Sequence, residues 1–69
     1  MKIKVGKTTY KVTEIDNSQA SGFDYTTYSL KNKNTLKTLV HNTTNDDFTL
    51  WGKRAGRYTM TTPNTVEMI

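Results

Sequence analysis

The chain contains no cysteine, one proline and one histidine among its 69 residues. Without cysteine it can form neither a disulfide nor a thiolate–zinc site, which fits a reducing, cytoplasmic location. Its longest apolar runs are two residues, such as Leu39-Val40, so we expect no transmembrane helix and no membrane partner. The lysines near the N-terminus are not followed by an apolar stretch, and no signal peptide is predicted.

Hydrophobic residues are also scarce, at 33% of the chain, and the mean hydropathy is −0.72. A chain of this length forms one domain, and no repeat or linker divides it. We therefore expect residues 1–69 to form a single small domain with a thin core. Such a core gives a stability of about 3–5 kcal/mol.

Groups that could carry catalysis are few. The one histidine, His41, lies in a predicted strand without a nucleophile at a recognisable spacing. Asp46 and Asp47 are neighbours in a predicted turn, so they do not form a pair of carboxylates across a cleft. The spacing of Gly52 and Gly56 does not match a glycine-rich phosphate loop. The acidic residues are too scattered for a metal site. We expect a protein that is not an enzyme and holds no cofactor or metal.

Threonine occurs at fourteen positions and, with valine, isoleucine, tyrosine and phenylalanine, predicts β-strands. The first of three hairpin signals joins residues 1–5 to 8–12 through Gly6-Lys7, which suits a type II′ turn. This register places Ile3 opposite Tyr10 on an apolar face. It places Lys2 opposite Lys11 on the other face.

The second hairpin is predicted to join residues 23–30 to 35–41 through a three-residue loop at 32–34, with Asn34 in the left-handed conformation. Leu30 would then face Leu36. A short helix at 35–41 is the competing interpretation, since Leu36, Leu39 and Val40 also have helical spacing. Residues 16–22 are polar and predict a loop or a single helical turn.

The third hairpin is predicted to join residues 48–51 to 57–62 through a five-residue loop at 52–56. Leu50 and Tyr58 would face inward as a pair, with Trp51 and Arg57 paired outward. Residues 65–69 predict a terminal strand. The whole pattern is typical of an all-β fold, an antiparallel meander of five to seven short strands curled into a barrel or compact sandwich. It falls in the size class of SH3-like and OB-like barrels.

Basic and aromatic residues coincide near the third hairpin, and the net charge of +4 with a pI of about 9.5 favours anionic partners. The candidate binding residues are Trp51, Lys53, Arg54 and Arg57, together with Lys2, Lys4 and Lys11 on the first hairpin. Two alternatives remain open for these side chains. The indole could pack into the core, and the lysines could protect a sheet edge from aggregation.

These residues favour a small module that contacts nucleic acid through phosphates and one or two stacked bases. The alternative is a protein-interaction module that binds an acidic protein surface, such as a phage or mobile-element encoded inhibitor or regulator of a host protein. Tryptophan, tyrosine and arginine also dominate protein interfaces. Self-association through an edge strand at 65–69 is a further prediction. If Trp51 is exposed on the side of Lys2, Lys4 and Lys11, these residues form one continuous binding surface.

Overall fold

The computed structural model describes the whole chain, from Met1 to Ile69. Seven antiparallel strands form a single sheet in the order β6-β5-β4-β3-β2-β1-β7. The strands are β1 (Lys2–Val5), β2 (Thr8–Ala20), β3 (Phe23–Asn32), β4 (Thr35–Asn42), β5 (Asp47–Arg54), β6 (Arg57–Thr61) and β7 (Val66–Met68). The sheet curls into a half-barrel, which confirms the predicted all-β meander. The helix considered at 35–41 does not form, and no helix long and apolar enough to cross a membrane is present.

The first hairpin has the predicted register. Ile3 lies opposite Tyr10 and Lys2 opposite Lys11, joined by a turn in which Gly6 has a φ of 60°. Glycine has no Cβ and adopts a positive φ at little cost, which favours a turn at this position. Because side chains alternate along a strand, Ile3 points to the buried inner face of the sheet and Lys2 points to the outer face.

The prediction of a loop or a helical turn at residues 16–22 is wrong. Strand β2 continues to Ala20 and is followed by a two-residue turn. Polar side chains stabilise this extension across the β2–β3 pair. Thr26 Oγ1 donates a hydrogen bond to Asn17 Oδ1 at 2.9 Å, and Gln19 Nε2 donates one to Asp24 Oδ1 at 2.7 Å. The segment is polar because most of its β2 side chains are exposed, and this gives a strand the composition of a loop.

The predicted register of the second hairpin is wrong by one residue. Its turn has two residues, and Lys33, not Asn34, has the left-handed φ, of 52°. Leu30 therefore lies opposite Lys37, which reverses the two faces of β4. As a result, Leu39 is 0% exposed, whereas Leu36 is 68% exposed.

Gly52 makes room for Lys37 on the inner face. The two residues are directly opposed in β4 and β5, and a Cβ atom on Gly52 would lie 2.7 Å from Lys37 Nζ. The missing side chain lets the lysine stem lie across β5. This close approach explains how a lysine occupies a position next to the core.

The third hairpin also differs from its prediction, because Gly52 lies within β5 and the turn is Ala55-Gly56, with φ angles of 52° and 80°. Two positive φ angles are typical of a type I′ turn. Trp51 therefore pairs with Met60, not with Arg57, and Leu50 pairs with Thr61.

The predicted inward position of Tyr58 is wrong for the same reason. In the shorter turn Tyr58 lies opposite Lys53, whose side chain points to the outer face, and it is 74% exposed. The register differs by an odd number of residues from the predicted one, and an odd difference moves every side chain of β6 to the other face.

The core occupies the inner face of the curled sheet. Five hydrophobic residues are buried, Ile3, Val5, Tyr10, Leu30 and Leu39, and five more pack partly buried around them, Val12, Tyr28, Phe48, Leu50 and Val66. The predicted terminal strand is present as β7, which pairs with β1 and leaves its other edge unpaired. Because all seven strands belong to one sheet, no second layer covers the outer face.

Candidate functional site

Three lysines lie side by side on the outer face. Lys2 in β1 is opposite Lys11 in β2, and Lys11 is opposite Lys31 in β3. Directly opposed residues project their side chains to the same face, so the three ammonium groups extend from neighbouring strands in the same direction. The next residue across the sheet is Leu36 in β4, which is opposite Lys31.

This line of residues continues to the edge of the sheet. Lys53 follows Gly52, the partner of Lys37, and therefore lies at the level of Leu36. Its own partner is Tyr58 in β6, with Lys53 Nζ 5.6 Å from the centre of the tyrosine ring. We call this line across six strands the outer row: Lys2, Lys11, Lys31, Leu36, Lys53 and Tyr58.

No lysine of the outer row has a carboxylate partner within the protein. No lysine or arginine of the chain forms an ion pair, and the only contact between a basic side chain and a carboxylate joins His41 Nε2 to Asp46 Oδ1, at 2.8 Å. Even Lys4, which lies opposite Glu67, forms none. Like charges in directly opposed positions destabilise a sheet. The arrangement Lys2–Lys11–Lys31 is therefore unfavourable for the free protein and favourable for an anionic ligand.

Trp51 lies on the same outer face, in a second line next to the outer row. It is opposite Thr38 in β4 and Met60 in β6, and its side chain is 38% exposed. The indole is therefore not part of the core. It lies on the face that also carries Lys2 and Lys11. The sequence alone left open whether the indole packs into the core or lies on this face.

A groove runs between the two lines. Its lining consists mainly of outer-face residues and the turn residues next to them: Glu14, Ser29, Asn34, Leu36, Thr38, Trp51, Lys53, Ala55, Gly56 and Tyr58. Four residues between them complete it: Thr13, Leu30, Lys37 and Gly52. Aromatic and aliphatic groups come from β4 to β6, and Ser29 in β3 and Thr38 in β4 add hydroxyl groups. Glu14 is the one carboxylate in this lining. The groove thus combines a surface for stacking with hydrogen-bonding groups.

No family model, curated protein or solved structure matches this chain. The assignment of the site therefore depends on its geometry and charge.

The structure divides the basic cluster predicted at the third hairpin. Trp51 and Lys53 remain together on the outer face. Arg54 and Arg57 lie opposite each other, one position closer to the turn than Lys53 and Tyr58. Because side chains alternate between the two faces along a strand, both arginines belong to the inner face. The predicted group of four is therefore two groups on opposite faces.

Sequence reasoning missed Lys31, Leu36 and Tyr58 as parts of the surface. The turn Ala55-Gly56 is the signal that would have identified Tyr58, because a two-residue turn pairs it with Lys53. Identifying Lys31 as part of the surface requires the β2–β3 register. That register contains a bulge between Val12 and Glu14, which nothing in the composition indicates.

His41 lies apart from this surface, on the inner face. Its ring stacks on Phe48 with 4.1 Å between ring centres and 7° between planes. In the sheet it is opposite Thr26 of β3. Together with the contact to Asp46 Oδ1, this packing holds the β4–β5 connection. No three histidine, aspartate or glutamate side chains converge as a set of metal ligands.

Proposed function

We propose that this protein is a small non-enzymatic module that binds nucleic acid through the outer row and the adjoining groove. The observation that carries the proposal is the unpaired lysine line Lys2–Lys11–Lys31, which continues on the same face to exposed aromatic side chains. Phosphates would neutralise the lysines, and bases would stack on Trp51 or Tyr58.

Both parts of the surface contribute in physically different ways. Lysines that neutralise phosphates release condensed counterions, which gives an affinity that falls steeply as salt increases. Stacking of a base on an aromatic ring contributes about 1–3 kcal/mol and depends little on salt. A net charge of +4 gives a modest overall field, so the local concentration of lysines on one face is more important than the total. We place this activity in the cytoplasm.

Paired charge-removal variants test the proposal. Lys11→Gln/Lys31→Gln removes two charges from the outer row, whereas Lys7→Gln/Lys33→Gln removes two from turns outside it. Each phosphate contact to a single strand contributes about 0.7 to the slope of log affinity against log salt. We expect the row variant to lower the magnitude of this slope by about 1.4 and the turn variant to leave it close to that of the wild type.

Fluorescence anisotropy with labelled oligonucleotides, from 20 mM salt upward, would measure both slopes. An affinity that does not change with salt, or an equal loss in the two variants, would contradict the proposal.

A second candidate, a protein-interaction module, is favoured by the exposed aliphatic side chains beside Trp51. Leu36 is 68% exposed and Met60 is 60% exposed, and such groups suit a protein partner better than phosphates. A phage or mobile-element encoded regulator that binds an acidic host surface would have this character. In that case Leu36→Ser/Met60→Ser would abolish partner binding in a pull-down, while the lysine variants would mainly slow association. Self-association through β7 stays a prediction, which sedimentation would measure.

A further inference from the structure

We infer that the ligand of the outer surface is a single-stranded polynucleotide that lies across the β-strands and covers about four to seven nucleotides. This inference rests on the proposed function and makes it more specific, because a lysine line alone would serve a duplex equally well. Three features of the outer face support it: the length of the outer row, the position of the aromatic rings beside it and the one carboxylate of the groove.

The length of the outer row sets the number of nucleotides. The row crosses six strands, from Lys2 to Tyr58. Five spacings of about 4.8 Å give a span of about 24 Å. Phosphates at the duplex spacing of about 3.4 Å would number about seven over this length, and an extended strand would place fewer. Four nucleotides correspond to one phosphate for each lysine of the row.

The aromatic rings favour a single strand over a duplex. Trp51 lies two residues from Lys53 along β5, which is about 6.6 Å from the outer row. A strand whose phosphates follow the lysines can turn its bases toward Trp51 and Tyr58. In a duplex the base faces are already stacked on their neighbours, so the rings would have no surface to contact.

The groove offers polar groups that suit bases, beside the lysines Lys37 and Lys53. Glu14, at its β2 end, would repel a phosphate but can accept a hydrogen bond from an exocyclic amino group of a base. The hydroxyls of Ser29 and Thr38 can donate or accept along a base edge. The polar groups therefore orient the strand, with its backbone on the outer row and its bases in the groove.

Oligonucleotide binding at fixed salt tests this inference. The ligands are oligo-dC and oligo-rC of two to twelve nucleotides, and one hairpin duplex DNA. We expect the gain in affinity per added nucleotide to level off between about four and seven nucleotides, and the duplex to bind at least tenfold more weakly than an octamer. Binding of either the DNA or the RNA series in this way supports the inference, and the comparison of the two identifies the sugar that is preferred.

Aromatic variants supply the second readout. Trp51→Ala should weaken single-strand binding about 5- to 150-fold but leave the salt slope unchanged, and Trp51→Phe should recover part of the loss. Tyr58→Ala is the companion variant, since Tyr58 is highly exposed and its removal does not affect the core. Circular dichroism confirms that each variant is folded.

The possible failures are distinguishable. A duplex that binds as tightly as the octamer, with no loss in Trp51→Ala, would overturn the single-strand inference and leave the proposed function intact. An absence of binding to every oligonucleotide at low salt would overturn both.

Discussion

Replacing Lys11 with glutamine should make the protein more stable, although it removes a side chain from the proposed binding surface. Lys11 is the central member of the lysine line, with Lys2 on one side and Lys31 on the other. No carboxylate pairs with any of the three. Lys11→Gln therefore removes two repulsions at once and breaks no favourable ion pair.

The size of the effect follows from Coulomb's law. Opposed Cα atoms lie about 4.5–5.5 Å apart, and charged side chains that diverge bring the separation of the ammonium groups to about 7 Å. Each repulsion then costs about 0.6 kcal/mol in water, and two cost about 1.2 kcal/mol without screening. With a Debye length of about 8 Å at 0.15 M salt the gain falls to about 0.5 kcal/mol, and at 1 M it almost vanishes.

Thermal unfolding at three salt concentrations measures this gain. A gain of about 0.5 kcal/mol raises Tm by about 2–4 °C for a domain of this size, and the shift should roughly double at 0.01 M salt. Lys7→Gln is the matched control. It removes the same charge from the β1–β2 turn, where no lysine is opposed to it.

An equal Tm increase in both variants would contradict cross-strand repulsion as the cause, because that result would reflect net charge and not the arrangement of the lysines. An unchanged Tm at 0.01 M salt would show that the three ammonium groups do not repel one another.

Two further predictions test the register and the turns. Leu39→Ala should cost about 2–5 kcal/mol, which is most of the stability of so small a domain, whereas Leu36→Ala should change stability by less than about 0.5 kcal/mol. Urea unfolding followed by circular dichroism distinguishes the two variants. A larger loss in Leu36→Ala would favour the register predicted from sequence. Ala55→Asn should raise Tm by about 3–6 °C, because asparagine tolerates the left-handed conformation at φ 52° better than alanine does. A lower Tm in calorimetry would contradict the type I′ turn.

The first hairpin could be predicted because its local signals agree. Alternation places Ile3 and Val5 on one face, and Gly6 marks a turn that only one register satisfies. The overall class followed from the same kind of pattern, because threonine and aromatic residues recur between turn signals along the whole chain.

The register of β4 could not be predicted from its own residues. Leu36 and Leu39 lie on opposite faces of a strand, so apolar content alone does not decide which is buried. The observed register pairs Lys37 with the buried Leu30, whereas alternation of apolar and polar residues predicts an apolar partner for that leucine. The reason it is stable lies in another hairpin, where Gly52 leaves space for the lysine stem. Such coupling between distant segments is not visible in local periodicity.

The sequence predicted which kinds of residue form the candidate site, but not which individual residues share its surface. The exposure of Trp51 and the lysines of the first hairpin are consistent with the predicted surface. Tyr58 and Arg57 exchanged faces because one turn was shorter than predicted. Lys31 joined the surface only through the β2–β3 register. Each of these register differences has a large effect, because a shift by an odd number of residues moves every side chain of the strand to the opposite face of the sheet.

The pairing of β7 with β1 has a consequence for how the chain folds during synthesis. Every other pair joins strands that follow each other in sequence, so each hairpin can form as soon as its residues leave the ribosome. The partner of Ile3 in β7 is Met68, which lies far from it in the sequence and is made after all the other strands. Until then, β1 keeps an open edge with Lys2 and Lys4 on its outer face, and such charges hinder pairing with another nascent chain. The lysines would thus protect the growing chain before any ligand meets the finished one.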